Sequence, residues 1–188
     1  MNTARSALSS IVSLSDGTIF GKHPLVKRFL KGVFEKKPAL PRYSSIWDVN
    51  IVFDYLKQWP EDIQLKDLTL KLTMLLALLT GQRCQTLHLL NIDNMQLLKD
   101  KCIFYVNNVV KQTSARKHAK PLEMLSYVND KQLFVIHCIE QYLKITFDIR
   151  GGTKQLLISH SKPHKAVSKD TIGKWIRLVF KRCNIDIR

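Results

Sequence analysis

Residues Leu68–Asp93 read LTLKLTMLLALLTGQRCQTLHLLNID: a long apolar run, a glycine, and an arginine two residues later. Apolar residues take almost every side of the run, as in a helix buried all round rather than along one stripe. Asp67 is placed to cap that helix, Gly81 supplies a turn, and Cys84 to Leu90 reads as a second short helix ending near Asn91. This puts Arg83 at the tip of a rigid apolar element, where an unpaired charge is costly. A phosphate, a backbone carbonyl or Asp93 could each satisfy it, and spacing alone leaves these alternatives open.

Working outward toward the N-terminus, Ser45 can cap a helix through about Gln58, closed by Trp59-Pro60. Before it, Thr18 to Tyr43 reads as a basic, irregular stretch interrupted by Pro24, Pro38 and Pro41, with KKPALPRYSS as a linker. Residues 1–14 carry Ala7, Leu8, Ile11 and Val12 at helical spacing, ended by Ser15-Asp16-Gly17. A helical pattern starting so abruptly is expected of a chain that begins inside a domain. The domain boundary is expected near residue 42, giving segments 1–42 and 43–188.

Toward the C-terminus the period changes. Met95–Leu98, Lys101–Val106 and the segment Ala119–Leu122 read as three short strands, with KQTSARKH at the tip of a longer hairpin. Asp130 to Lys144 returns to helix, and Gly151-Gly152 breaks the chain before a short apolar piece, Gln155 to Ser159. Ser168 to about Arg182 is strongly amphipathic, with Ile172, Trp175, Ile176, Val179 and Phe180 on one face and Lys174, Arg177 and Lys181 among the remainder. The expected fold class is mainly α with a small antiparallel β-sheet.

Composition narrows the function. In 188 residues, 30 Lys+Arg against 15 Asp+Glu give a net charge of +15, a balance that favours polyanions. The apolar fraction of 45% supports a sizeable core. Cys84, Cys102, Cys138 and Cys183 show no paired spacing and suit reduced, packed thiols. MNTARSALSS has no apolar signal-peptide core, and Leu68 to Leu79 is too short to span a bilayer. The expectation is an intracellular, nuclear protein, with neither a membrane nor a small-molecule substrate as partner.

Two positions could carry chemistry. Arg83 could grip a phosphate through the parallel donors of its planar guanidinium. Lys111, at the end of a strand and beside Arg116, Lys117, His118 and Lys120, could enter a DNA groove or protonate a leaving oxygen. The simpler reading of Lys111 is a solvated hairpin, since lysines are common at exposed edges. His160 and His164 are four apart, but Pro163 between them opposes a helix and no Cys or carboxylate cluster completes a site. No metal and no cofactor is expected; glycine-rich phosphate loops and GxSxG elbows are missing from the sequence.

These pieces together resemble the tyrosine recombinases, the phage-integrase family, and most closely the branch carried by DIRS-type retroelements. LTLKLTMLLALLTGQRCQTLHLL is similar to the family's first arginine box, and YVNNVVKQTSARKHAKPLEM to its lysine-bearing β-hairpin. NTARSALSSI, GKHPLVKRFLKGVF and RYSSIWDVNIVFDYL resemble the junction between core-binding and catalytic domains, and VSKDTIGKWIRLVFKRCNID the helix before the second box. The resemblance implies DNA strand breakage and rejoining through a phosphotyrosyl link, with no metal or high-energy cofactor. It assigns Arg83 as the first phosphate-clamping arginine and Lys111 as the lysine acid, with Lys117 as a fallback. Arg116, Lys117, Lys120, Lys174, Arg177 and Lys181 become DNA-contact candidates, and self-association on DNA is expected.

The departures are specific. Thr86 stands where the family often has an acidic residue. His-x-x-Arg is not found: His160 is followed at +3 by Pro163 and His164 by Val167. Tyr43, Tyr55, Tyr105, Tyr127 and Tyr142 all precede the place of the second box and suit core or surface roles. The expectation is therefore a truncated catalytic-domain fragment: 1–42 the end of a core-binding domain and linker, 43–188 the N-terminal part of the catalytic domain. Such a chain would bind DNA without cleaving it. The alternatives are a helix-turn-helix-like DNA reader using Gln85 and His88, and a domesticated element relic with no DNA role.

Overall fold

A computed structural model describes residues 2–38, 46–60, 62–106, 120–125 and 133–186. The chain divides into two compact units, Met1–Ile46 and Trp47–Arg188.

In the first unit, helix α1 (Asn2–Ile11) and helix α2 (Pro24–Lys36) flank a 3₁₀ turn at Phe20–Lys22. The Ser9 hydroxyl ties the turn to α1, donating to Arg5 O at 2.6 Å and accepting from the Gly21 N–H at 2.9 Å. A side chain at Gly21 would collide with that hydroxyl. Helix α2 corrects the expectation of an irregular 18–43 stretch. Pro24 occupies the first helical turn, where its missing N–H costs nothing, and the His23 Nδ1 accepts from the Leu25 N–H. Leu25, Val26, Phe29 and Leu30 then face an apolar groove of about 360 Å³, with Ala4, Leu8 and Phe20 opposite. Of the expected linker KKPALPRYSS (36–45), Lys36 is instead the last residue of α2, and residues 39–45, Ser45 among them, lie outside the described residues.

The second unit is built on the run that opened the sequence. Helix α4 (Leu65–Thr80) buries nine consecutive residues, Leu68 to Leu76. Two of these are threonines whose hydroxyls bond back to the preceding turn, Thr69 to Leu65 O at 2.6 Å and Thr73 to Thr69 O at 2.7 Å. Neither hydroxyl hydrogen is therefore stranded among the leucines. Around α4 pack helix α6 (Val135–Thr146), helix α7 (Lys169–Arg182), helix α5 (Cys84–His88) and the edge of a small sheet. Helix α3 (Val49–Lys57) adds the buried Val52 and Leu56.

The sheet is antiparallel in the order β1-β2-β3, from Met95–Leu97, Lys101–Phe104 and Leu122–Leu125. Cys102, Phe104 and Met124 point into the core, and Lys101 pairs with Glu123 at 3.1 Å on the other face. The mainly α class with a small antiparallel sheet is what the sequence led us to expect.

Several boundaries differ from expectation, four of them with a plain physical reason. The cap of α3 is Asp48, whose carboxylate accepts from the Asn50 N–H at 2.9 Å. Helix α4 starts at Leu65 after Gln64, so Asp67 lies inside the first turn, where it takes a tertiary partner instead of capping. Strand β3 starts only at the last residue of the expected Ala119–Leu122 segment and pairs from Leu122 to Leu125, because Pro121 cannot donate to a ladder and Met124 must face the core. Helix α6 begins at Val135, after an extended Phe134.

Candidate functional site

The end of α4 shows why Arg83 stands where it does. Gly81 adopts a left-handed φ of 60°, and its N–H closes the helix onto Ala77 O at 3.0 Å. Arg83 then takes extended backbone angles as the residue before α5, its carbonyl accepting from the Thr86 and Leu87 N–H groups. Its side chain is exposed and makes no hydrogen bond or ion pair among the described residues. Among the described residues, both protein partners that spacing allowed are thus unused. Asp93 instead pairs with Lys154 at 3.2 Å.

Helix α5 is held against α7 at close range. A Cβ on Gly173 would lie 3.8 Å from the Cys84 Sγ, an ordinary contact. At the other end of α5, the His88 Nδ1 lies 2.8 Å from Val167 O, and the Gln155 Nε2 donates to the same carbonyl at 2.9 Å. Ser168 follows, capping α7 by accepting from the Thr171 N–H at 3.2 Å.

The far end of α7 is anchored as firmly. Arg182 donates to the Asp67 carboxylate at 2.9 Å, and its guanidinium lies 5.8 Å from the Trp59 ring centroid. The hydrogen bond to Asp67 is the main reason the Arg182 pKa is raised. Phe180, half a turn earlier, meets Trp47 edge-on at 4.8 Å. Between these anchors Ile172, Trp175 and Val179 are buried, while Lys174, Arg177 and Lys181 are exposed at helical spacing on the opposite face.

Among the other expected residues, Lys120 is exposed just before β3, and Lys111, Arg116 and Lys117 lie outside the described residues. The His160 ring lies 5.6 Å from that of Trp175; burial chiefly, and Lys66 next, hold its pKa below the usual histidine value. The His164 Nδ1 is 2.9 Å from Ser159 O. No cluster of three or more His, Cys, Asp or Glu suited to a metal occurs among the described residues.

Two solved structures match this arrangement across nearly the whole chain. The crystal structure of XerA recombinase aligns at a TM-score of 0.53 with 14% identity, covering 99% of this chain and 61% of that one. The XerH site-specific recombinase, bound to its difH substrate in a pre-cleavage complex, aligns at 0.52 with 13% identity, covering 98% and 53%. The chain has the fold of these recombinases. It spans between about half and three fifths of their lengths. No family model and no curated protein sequence matches it.

Within the recombinase fold, α4, the Gly81 turn and α5 are not a free helix-turn-helix. Helix α4 is buried around its circumference, and His88, one of the two expected base readers, is half-buried and engaged with Val167 O. Of the two, Gln85 alone is exposed to read anything.

Sequence reasoning passed over Arg150. It is buried, with its Nη1 donating to Gln155 O at 3.1 Å and its Nη2 to the Thr146 hydroxyl. Burial lowers its pKa, and its Nε finds no partner among the described residues. The Thr146–Arg150 spacing of four before Gly151-Gly152 is the signal that could have marked it as a helix-end clamp.

Proposed function

We propose that this chain is a DNA-binding part of a tyrosine recombinase of the DIRS-type retroelement branch, serving site-specific recombination or integration of a mobile element in the nucleus. The observation that carries this reading is Arg83: an exposed guanidinium on a rigid, glycine-closed helix end, with no partner among the described residues. A guanidinium so presented can give two parallel N–H donors to the non-bridging oxygens of one phosphate. Lys174, Arg177 and Lys181 offer a second line of cations for the backbone, and the net charge of +15 supports long-range attraction. Two recombinases with this fold, one of them bound to its substrate, add support.

In this reading Arg83 is one arm of a phosphate clamp, Lys111 the acid for the leaving oxygen, and Arg116, Lys117 and Lys120 the DNA-facing residues of the hairpin. Residues 1–42 belong to the core-binding domain and linker, and 43–188 to the catalytic domain, with copies associating on DNA. The 188 residues bind DNA without cleaving it. Tyr142, for example, is buried and holds both Ile158 N–H and Ile158 O through its hydroxyl, so it is not a nucleophile.

The test is duplex binding followed by anisotropy across a salt series. Affinity should fall steeply with salt, and Arg83→Ala should weaken binding about tenfold, the size of a charge-assisted contact. No affinity even at low salt would overturn the DNA reading. A covalent phosphotyrosyl adduct on a nicked suicide duplex would overturn binding without cleavage.

A further inference from the structure

We infer that His88 and Gln155 are positioning residues for Arg83, holding the short helix that follows it at a set angle to α7. The inference rests on the reading of Arg83 as a phosphate ligand. Helix α5 has only five residues, too few to hold its own geometry in water. Its orientation must come from tertiary contacts, of which three stand out. Leu87 is buried, Cys84 faces Gly173, and the His88 ring reaches Val167 O at 2.8 Å.

That carbonyl is a junction. A carbonyl only accepts, so the His88 Nδ1 must carry a hydrogen, and the Gln155 amide at 2.9 Å fills the second lone pair. Val167 directly precedes the Ser168 cap of α7. Gln155 is itself fixed: its carbonyl accepts from the buried Arg150, and Leu156 N–H next to it donates to Leu90 O at 2.8 Å. One carbonyl therefore couples three elements: α5 with Arg83 before it, the 153–158 segment, and the start of the helix bearing Lys174, Arg177 and Lys181. Neither His88 nor Gln155 is exposed, so neither is offered as a DNA contact. Releasing the junction would let α5 pivot about Leu87, swinging Arg83 away from the phosphate that the α7 cations have placed.

The experiment is a double-mutant cycle read by anisotropy on a short fluorescein-labelled DNA duplex at low salt, with unfolding curves for each variant. Arg83→Ala and His88→Leu should each weaken binding roughly tenfold, and the double variant no more than Arg83→Ala alone. His88→Asn, whose amide N–H can replace the ring donor, should restore binding to within about twofold. A merely structural His88 would lower affinity by the same factor whether Arg83 is intact or replaced, and that result overturns the inference. So does an unchanged affinity in His88→Leu while Arg83→Ala is weakened. If Arg83→Ala itself binds like the wild type, the functional reading of Arg83 fails first. Should His88→Leu unfold, Gln155→Leu removes the other donor to the same carbonyl and runs the same cycle.

Discussion

Arg83 and Arg150 make an instructive pair. Each follows an apolar helix of the second unit, and each stands close to a glycine in the left-handed region, Gly81 at φ 60° and Gly151 at φ 52°. Arg150 turns inward and gives its donors to Thr146, Thr153 and Gln155. Arg83 turns outward and gives them to nothing among the described residues. An arginine after a helix end can thus be a clamp or a ligand, and its acceptors decide which. Where carbonyls of the same loop return to the guanidinium, the charge is used in folding. Where they do not, it is left for an outside anion.

The contrast breaks most visibly at the arginines themselves. Arg150→Ala should cost about 2–4 kcal/mol in a urea melt, because it takes a donor from the buried Thr146 hydroxyl and from the part-buried Thr153 and Gln155 carbonyls. Arg83→Ala should stay within about 0.5 kcal/mol while losing DNA affinity. Equal destabilisation by the two would end the distinction. The glycines should behave alike where the arginines differ. An added Cβ at Gly81 or Gly151 meets no atom within 4 Å, so Gly81→Ala and Gly151→Ala should each cost only the backbone strain, about 1–2 kcal/mol. A markedly larger loss at one of them would show that more than the turn is at stake there.

The smallest test concerns thiols, where burial sorts like residues in the same way. Burial pushes the Cys102 thiol up to about 12, whereas Cys84 is half-exposed beside Arg83. Iodoacetamide at pH 8 should label Cys84 and spare Cys102, read by peptide mass. The folded state favours the neutral Cys102 thiol. Its stabilising contribution is whole below the ordinary thiol value of about 8.5 and is lost as pH rises toward 12. A stability profile that rises over that range would contradict the burial.

Much of the fold is legible before any coordinates. The sequence shows LTLKLTMLLALLT apolar on almost every side, and it is the helix on which the second unit is built. Ser168 followed by an amphipathic repeat marks α7 within a residue. Other features are hidden because the deciding contact is distant along the chain. Asp67 has the chemistry of a cap, yet Arg182, 115 residues away, takes its carboxylate. His88 looks like a base reader, yet Val167, 79 residues on, accepts from it. Pro24 misleads for a local reason: proline breaks a helix interior but opens a first turn, and here it stands in the first turn of α2, just after the His23 cap.

By itself the sequence determined the mainly α class, the buried central helix, the glycine turn and the placement of Arg83 just beyond it. Periodicity and backbone conformation are properties of neighbouring residues, and they survive without knowledge of the rest. The tertiary structure decided the register of β3, the partner of Asp67, the inward turn of Arg150 and the exposure of Arg83. Each of these depends on whether a donor finds an acceptor brought near by folding, and spacing along the chain does not record that.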